Sequence, residues 1–141
     1  MKSMEEAAYR FRLGKGYFKE AEELLDGGLW RACAASCQLA VENACKAIVA
    51  LFRPTVRTHK ISELLLNLQD EEKLTTKESQ GIEKLAEYAK LLGLKEHILT
   101  DYGDELTHKV PWEIYKEEHA RRAMEIAADA VRIAEGFIPS E

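Results

Sequence analysis

The sequence contains no stretch that reads as a β-strand, no internal repeat and no low-complexity segment, so sandwiches, barrels and solenoids are excluded. Cysteine is scarce. Cys33, Cys37 and Cys45 all fall within one predicted helix, and an odd number on one helix cannot build a disulfide framework. Zinc would need further ligands, and no histidine lies on that helix, so the three read as small buried hydrophobes and free thiols. Arg53 and Pro54 end the longest apolar run, so no membrane association is expected. The opening MKSMEEAAYRFR has acids and no apolar core of a secretory signal, which makes cytoplasmic residence the expectation. Phosphate loops, paired-histidine metal motifs and serine nucleophile elbows are also missing, so neither metal nor cofactor is expected.

What remains is helical and charged. With 141 residues, 46% hydrophobic and 32% charged, the chain reads as a single domain over 1–141, large enough for a core without staples. The formal net charge of −5 is unevenly spread: residues 1–60 carry ten Lys or Arg against seven acids, residues 61–141 ten against eighteen. Overall acidity speaks against a broad nucleic-acid surface, while leaving room for a local basic site.

Helical spacing predicts a first helix from about Ser3 to Asp26, striped with Met4, Ala7, Ala8, Phe11, Phe18, Ala21 and Leu25. Gly14 and Gly16 permit a bend or a close helix contact there, and Gly27-Gly28 stops it. LWRACAASCQLAVENACKAIVALF follows, apolar on nearly every side, which places it in the middle of a bundle. Glu42 and Lys46 stand at i and i+4 on it. A basic hinge then gathers Arg53, Arg57, His59 and Lys60 and is the best site for an anion or nucleotide; Thr58 or His59 could equally serve as a helix cap. Ile61, Leu64, Leu65 and Leu68 predict a short third helix ending in the acids Asp70–Glu72. A fourth, capped by Thr75 or Thr76, carries Ile82, Leu85, Ala86, Ala89 and Leu92, with Gly93 a weak point before His97. A loop through Tyr102, Gly103, Pro111 and Trp112 leads to a last helix near Tyr115 to Phe137. The expected fold is an all-α up-and-down bundle of four long helices plus one short helix.

Of the four histidines, His97 and His119 read as surface residues and His108 as a loop residue beside Lys109. Asp101, Asp104 and Glu105 could bind a divalent cation, but helix-capping acids in a polar loop are the simpler account.

The order of segments is familiar beyond this. AVENACKAIVALF followed by THKISELL resembles the HEPN domain (higher eukaryotes and prokaryotes nucleotide-binding), whose helix "A-E-x-x-x-K-A" precedes a loop "T-H-x-(I/L)-x-x-L-L". The matching residues are Ala40, Glu42, Lys46 and Ala47, then Thr58, His59, Ile61, Leu64 and Leu65. VPWEIYKEEHARRAMEIAADAV is similar to the family's last helix and its lead-in.

The resemblance implies two kinds of function. Some members are dimeric, metal-independent ribonucleases in which an Arg-x(4–6)-His motif lines a shared cleft, the arginine holding the scissile phosphate and the histidine moving protons. Others lack the motif and bind nucleotides or act with a minimal nucleotidyltransferase. In this chain His108 is suitably placed, but Asp101 stands where the arginine is wanted, and an acid repels phosphate. Arg53 and His59 fit the spacing numerically, though in the earlier hinge. The expectation is therefore a noncatalytic homodimer, nucleotide-binding or part of a toxin–antitoxin system with a nucleotidyltransferase-like partner. The alternatives are a ribonuclease toxin using His108 or His59 with a nearby arginine and RNA as its ligand, and a helical scaffold without a small ligand.

Overall fold

The computed structural model describes residues 2–53 and 60–138. Four long helices form the bundle: α1 (Lys2–Asp26), α2 (Trp30–Phe52), α4 (Thr76–Leu91) and α7 (Glu117–Phe137). The short helix α3 (Ile61–Glu71) lies between α2 and α4, and two further short pieces, α5 (Leu94–Tyr102) and α6 (Pro111–Ile114), join α4 to α7. No strand occurs among the described residues, only an isolated bridge between Asp104 and Lys109.

α2 is the axis. It packs against every other described helix, and its side chains from Cys33 to Ala50 are buried around most of its circumference, as expected of a helix apolar on all sides. By length and hydropathy α2 could span a membrane, but 67% of that stretch is already buried inside the bundle, which makes it a core helix. All three cysteines are free and buried. Cys37 Sγ donates to Met124 Sδ on α7 at 3.5 Å and Cys45 Sγ to the Leu85 carbonyl on α4 at 3.7 Å. Burial, with a smaller contribution from Glu42, pushes the Cys45 thiol up to about 12, so it stays protonated and acts as a packing group. Glu42 and Lys46 pair at 3.5 Å, half-exposed, where such a contact contributes little.

α1 lies along α2 without a break. A Cβ at Gly14 would sit 3.3 Å from the Ala40 carbonyl oxygen and 3.4 Å from the Ala44 nitrogen, so of the two expected glycines this one is the helix contact. Nothing lies within 4 Å at Gly16. The stop at Gly27-Gly28 has full Schellman form: Gly28 adopts φ +74, its amide donates to the Leu25 carbonyl at 3.0 Å, and the Leu29 amide donates to Leu24 at 2.9 Å. Thr75 begins α4 with a capping box, accepting from the Glu78 amide at 3.1 Å while Glu78 accepts from the Thr75 amide at 2.9 Å.

The predicted last helix starts two residues late. Tyr115 ends α6 in an extended conformation, and α7 begins at Glu117 with the small face Ala120, Ala123, Ala127, Ala130 and Ala134 buried. The weak point at Gly93 is a full break, since α4 ends at Leu91 and Gly93 becomes the N-cap of α5.

α4 and α7 are joined by a polar clasp. The Tyr88 hydroxyl donates to Asp129 Oδ2 at 2.5 Å, and Lys84 and Arg132 flank the same carboxylate. Burial alone would raise Asp129, but Tyr88, Arg132 and Lys84 together hold it below the usual carboxylate range. A depressed carboxylate stabilises the fold above its unfolded value near 4 and loses that contribution as pH falls through its folded value. Asp129→Asn is therefore expected to cost about 1–2 kcal/mol at neutral pH. In urea unfolding the difference from the parent should shrink as pH falls below the unfolded value near 4; a cost that does not change with pH would rule out the charged clasp.

Candidate functional site

Two places hold the residues singled out in the sequence, and the structure treats them differently. At the hinge, Arg53 is the C-cap of α2, its amide donating to the Val49 carbonyl at 2.8 Å. Its guanidinium is shared between Glu71 and Glu72, the acids that end α3, and also donates to the Phe52 carbonyl at 3.1 Å. The acidic tract thus folds back on the basic hinge, a pairing no local pattern announces. An anion arriving here meets a guanidinium already in use, although exposed ion pairs of this kind are easily displaced. Lys60 is the exposed N-cap residue of α3. Arg57 and His59, with the caps expected from Thr58 or His59, lie outside the described residues.

The second place is the end of the bundle where α5, the following loop and α6 meet the start of α2. Gly103 closes α5 with φ +75, and the chain then makes a tight loop. The Asp104 amide donates to the Lys109 carbonyl at 2.9 Å, and the Lys109 amide returns the bond at 3.1 Å. Asp104 Oδ1 accepts from the Leu106 amide at 3.0 Å and the Thr107 amide at 3.4 Å. The Thr107 hydroxyl and amide are the main reason Asp104 is held below the ordinary carboxylate range, so it stays charged. His108 is exposed on this loop with φ 57, and its side chain makes no hydrogen bond or ion pair with the described residues.

Asp101 has a different setting. Arg31, from the first turn of α2, reaches across 69 positions to donate from Nη1 to the Thr100 carbonyl at 2.9 Å, and the same nitrogen lies 4.0 Å from Asp101. Its guanidinium carbon is 5.8 Å from the centroid of the Trp112 ring. His97 Nε2 lies 3.5 Å from the other oxygen of Asp101. Buried Thr100 is itself fixed by its hydroxyl donating to the His97 carbonyl at 2.9 Å. Two nitrogen-bearing side chains therefore converge on one carboxylate. Beside them the Tyr115 hydroxyl donates to Glu96 at 2.9 Å, and burial followed by the Glu96 charge pushes that phenol well above its usual range. His119 Nδ1 accepts from the Lys116 amide at 3.1 Å, making it a helix cap as well as the surface residue expected.

Asp101, Asp104 and Glu105 do not assemble a cation site. Among the described residues no three His, Cys, Asp or Glu side chains are placed to hold a metal ion.

The HEPN domain family matches residues 7–137, nearly the whole chain. The chain belongs to the HEPN family. Its fold is also that of the crystal structure of TT1696 from Thermus thermophilus, at TM-score 0.70 and 19% identity over 96% of this chain and 98% of that one. ST0689, an archaeal HEPN homologue, aligns at TM-score 0.63 and 20% identity over 94% of this chain and 98% of that one. No curated protein matches.

In this HEPN chain the residue the sequence reading missed is Arg31. It stands beside Trp30 at the start of a helix that holds only one other cation, Lys46. That isolation is the only local signal it carries. Its role depends on α5 folding back over the start of α2.

Proposed function

We propose that this chain is a noncatalytic HEPN protein, a single HEPN-like domain acting in the cytoplasm as a homodimer. It is a nucleotide-binding component, or a toxin–antitoxin component, that works with a nucleotidyltransferase-like partner. The observation that carries this reading is the setting of Asp101. Where the family resemblance wants a phosphate-holding arginine, a carboxylate takes up the nearest guanidinium and imidazole, 4.0 Å and 3.5 Å away. A phosphate drawn to Arg31 would also face the Asp101 carboxylate 4.0 Å from that guanidinium, whose repulsion works against the attraction. Nucleotide binding falls instead to the hinge, through Arg53, Arg57, His59 and Lys60.

The ribonuclease alternative has one observation in its favour, because Arg31 does bring a guanidinium to this end of the bundle. Incubation of the purified chain with single-stranded RNA in the presence of a chelator decides between them. The expected result is no cleavage above buffer, with ATP binding in calorimetry that weakens about tenfold in Arg57→Ala/Lys60→Ala, a change of about 1.4 kcal/mol. Cleavage that disappears in His108→Ala would transfer the chain to the ribonucleases. Absence of both cleavage and nucleotide heat would leave a scaffold.

A further inference from the structure

Three sulfur atoms meet between α2 and α7. Cys33 and Cys37 stand at i and i+4 on α2, so both thiols lie on one face of the helix. They hydrogen-bond to each other, and Cys37 Sγ also lies 3.5 Å from the Met124 thioether on α7. Both cysteines are fully buried, whereas Met124 is only partly so. Cys45 stands outside the group, about two helical turns further along α2, and donates to the Leu85 carbonyl instead.

That contrast separates a packing thiol from a ligand set. Cys45 is satisfied by an oxygen acceptor, as a space-filling thiol should be. Cys37 has one hydrogen and two sulfur neighbours to take it, and sulfur is a weak acceptor. The group is short of protons and rich in lone pairs. A cation in place of the shared hydrogen would serve all three sulfurs at once.

The electrical setting agrees. The hydrogen bond from Cys37 draws the Cys33 thiol below its ordinary range, although burial opposes it. Cys37 is pushed up by the same bond, by burial, and then by the Cys33 and Glu96 charges. One sulfur thus takes anionic character while its neighbour keeps the proton. The outside charge acting on Cys37 is the Glu96 carboxylate of α5, whose hydrogen-bond partner Tyr115 is neutral. A negative field that opposes a thiolate favours a cation beside it.

The donor set selects the ion. Two thiols and a thioether, with no nitrogen or oxygen, suit a soft monovalent ion such as Cu(I). Zinc asks for four nitrogen, sulfur or carboxylate ligands, and among the described residues no three His, Cys, Asp or Glu side chains come together to hold a metal. A metal–sulfur bond is about 2.3 Å, so three sulfurs in a plane around one ion stand about 4 Å apart. Cys37 and Met124 are already close to that spacing at 3.5 Å, and the three rotatable bonds of Met124 can supply the rest. A thioether on another helix is a ligand that cysteine spacing does not reveal.

We infer that Cys33, Cys37 and Met124 form a three-coordinate site for one soft monovalent metal ion, Cu(I) by preference. The ion displaces the thiol protons, which leave to solvent, so two thiolates and a neutral thioether hold one positive charge. Met124, at the edge of the core, is the ligand by which it enters. The site lies in the first half of α2, whereas the basic hinge follows its last residue, and it does not depend on the nucleotide reading.

The test titrates the full chain, reduced and free of oxygen, into Cu(I) bicinchoninate, where loss of the coloured complex counts the ions withdrawn. One ion per chain is expected, with a higher melting temperature on loading because the ion binds the folded state. Cys33→Ser and Cys37→Ser should each weaken binding at least about a hundredfold, Met124→Leu about tenfold, and Cys45→Ser not at all. Met124→Leu conserves volume, so it tests the site even where a core serine lowers stability, and the melting temperature of each metal-free variant checks its folding. Failure to withdraw copper overturns the inference, and so does displacement of the copper by equimolar Zn(II). Equal loss in Cys45→Ser, or a Met124→Leu variant that binds as the parent does, overturns it too, since either result assigns the copper to thiols at large.

Discussion

Gly103→Ala is expected to lower the melting temperature by about 8–12 °C, corresponding to about 2–3 kcal/mol for a domain of this size. Gly103 has φ +75 and ψ −157, a region that only glycine enters freely. A Cβ added there would lie 2.1 Å from the Lys109 carbonyl oxygen and 3.1 Å from Cδ of Pro111. The first contact forbids the bridge that closes the loop, and the second pushes on a proline that is buried. The damage cannot stay at the surface, because Gly103 also ends α5 by donating to the Leu99 carbonyl at 3.0 Å, and α5 is fastened to α2 through Arg31. His108→Gly provides the contrast within the same loop. His108 has φ 57, so removing its Cβ relieves strain, and the change should be neutral or stabilising by up to about 1 kcal/mol. Thermal unfolding of the two variants gives the sign of each. If Gly103→Ala melts with the parent while the Asp104 and Lys109 amides stay protected from exchange, the loop geometry described above is wrong.

The contrast between those two positions shows where sequence information ends. Local grammar served well wherever a structure is decided by its own neighbours. The Gly27-Gly28 stop, the Thr75 capping box and the all-round apolar character of α2 each follow from residues a few positions apart, and each is present. Gly93 was legible as a weak point but not as a break. Local spacing does not say that the chain will turn there and begin α5 afresh with Gly93 as N-cap. The stretch from Thr100 to Trp112 read as an open loop because its organising contacts are not local patterns. Arg31 crosses 69 positions to reach Thr100, and the Asp104–Lys109 bridge needs glycine conformational freedom at 103 that the sequence only permits.

The same distinction separates the candidate sites. The basic hinge was conspicuous because its charges are adjacent in sequence; that Arg53 pairs with Glu71 and Glu72, acids that an incoming nucleotide has to displace, was not. The end of the bundle was invisible as a unit because Arg31 joins it from the far side of the chain. Asp101 itself was marked, by comparison with the motif arginine the resemblance implies. Its partners His97 and Arg31 were not, since one is a helical neighbour at i−4 and the other a tertiary contact.

Gly14→Leu should destabilise by about 3 kcal/mol, because the atoms around Gly14 cannot move aside. A Cβ there would stand 3.3 Å from the Ala40 carbonyl oxygen, 3.4 Å from the Ala44 nitrogen and 3.8 Å from the Asn43 carbonyl carbon, all of them α2 backbone. Side chains can change rotamer to admit a larger neighbour, whereas a helix backbone moves only as a body. Leucine at 14 must therefore lift α1 from α2, the helix whose contacts define the bundle. Gly14→Ala sets two effects of similar size against each other. Replacing a helix-interior glycine gains about 1 kcal/mol in propensity, and the tight contact returns a comparable cost. That variant should melt within a few degrees of the parent. Gly16→Ala has the same propensity gain and nothing within 4 Å to oppose it, so it should stabilise by about 1 kcal/mol. Denaturant midpoints of the three variants give the comparison. A Gly14→Leu variant as stable as Gly16→Ala would mean that α1 does not approach α2 at Gly14, and the close crossing of the two helices would have to be abandoned.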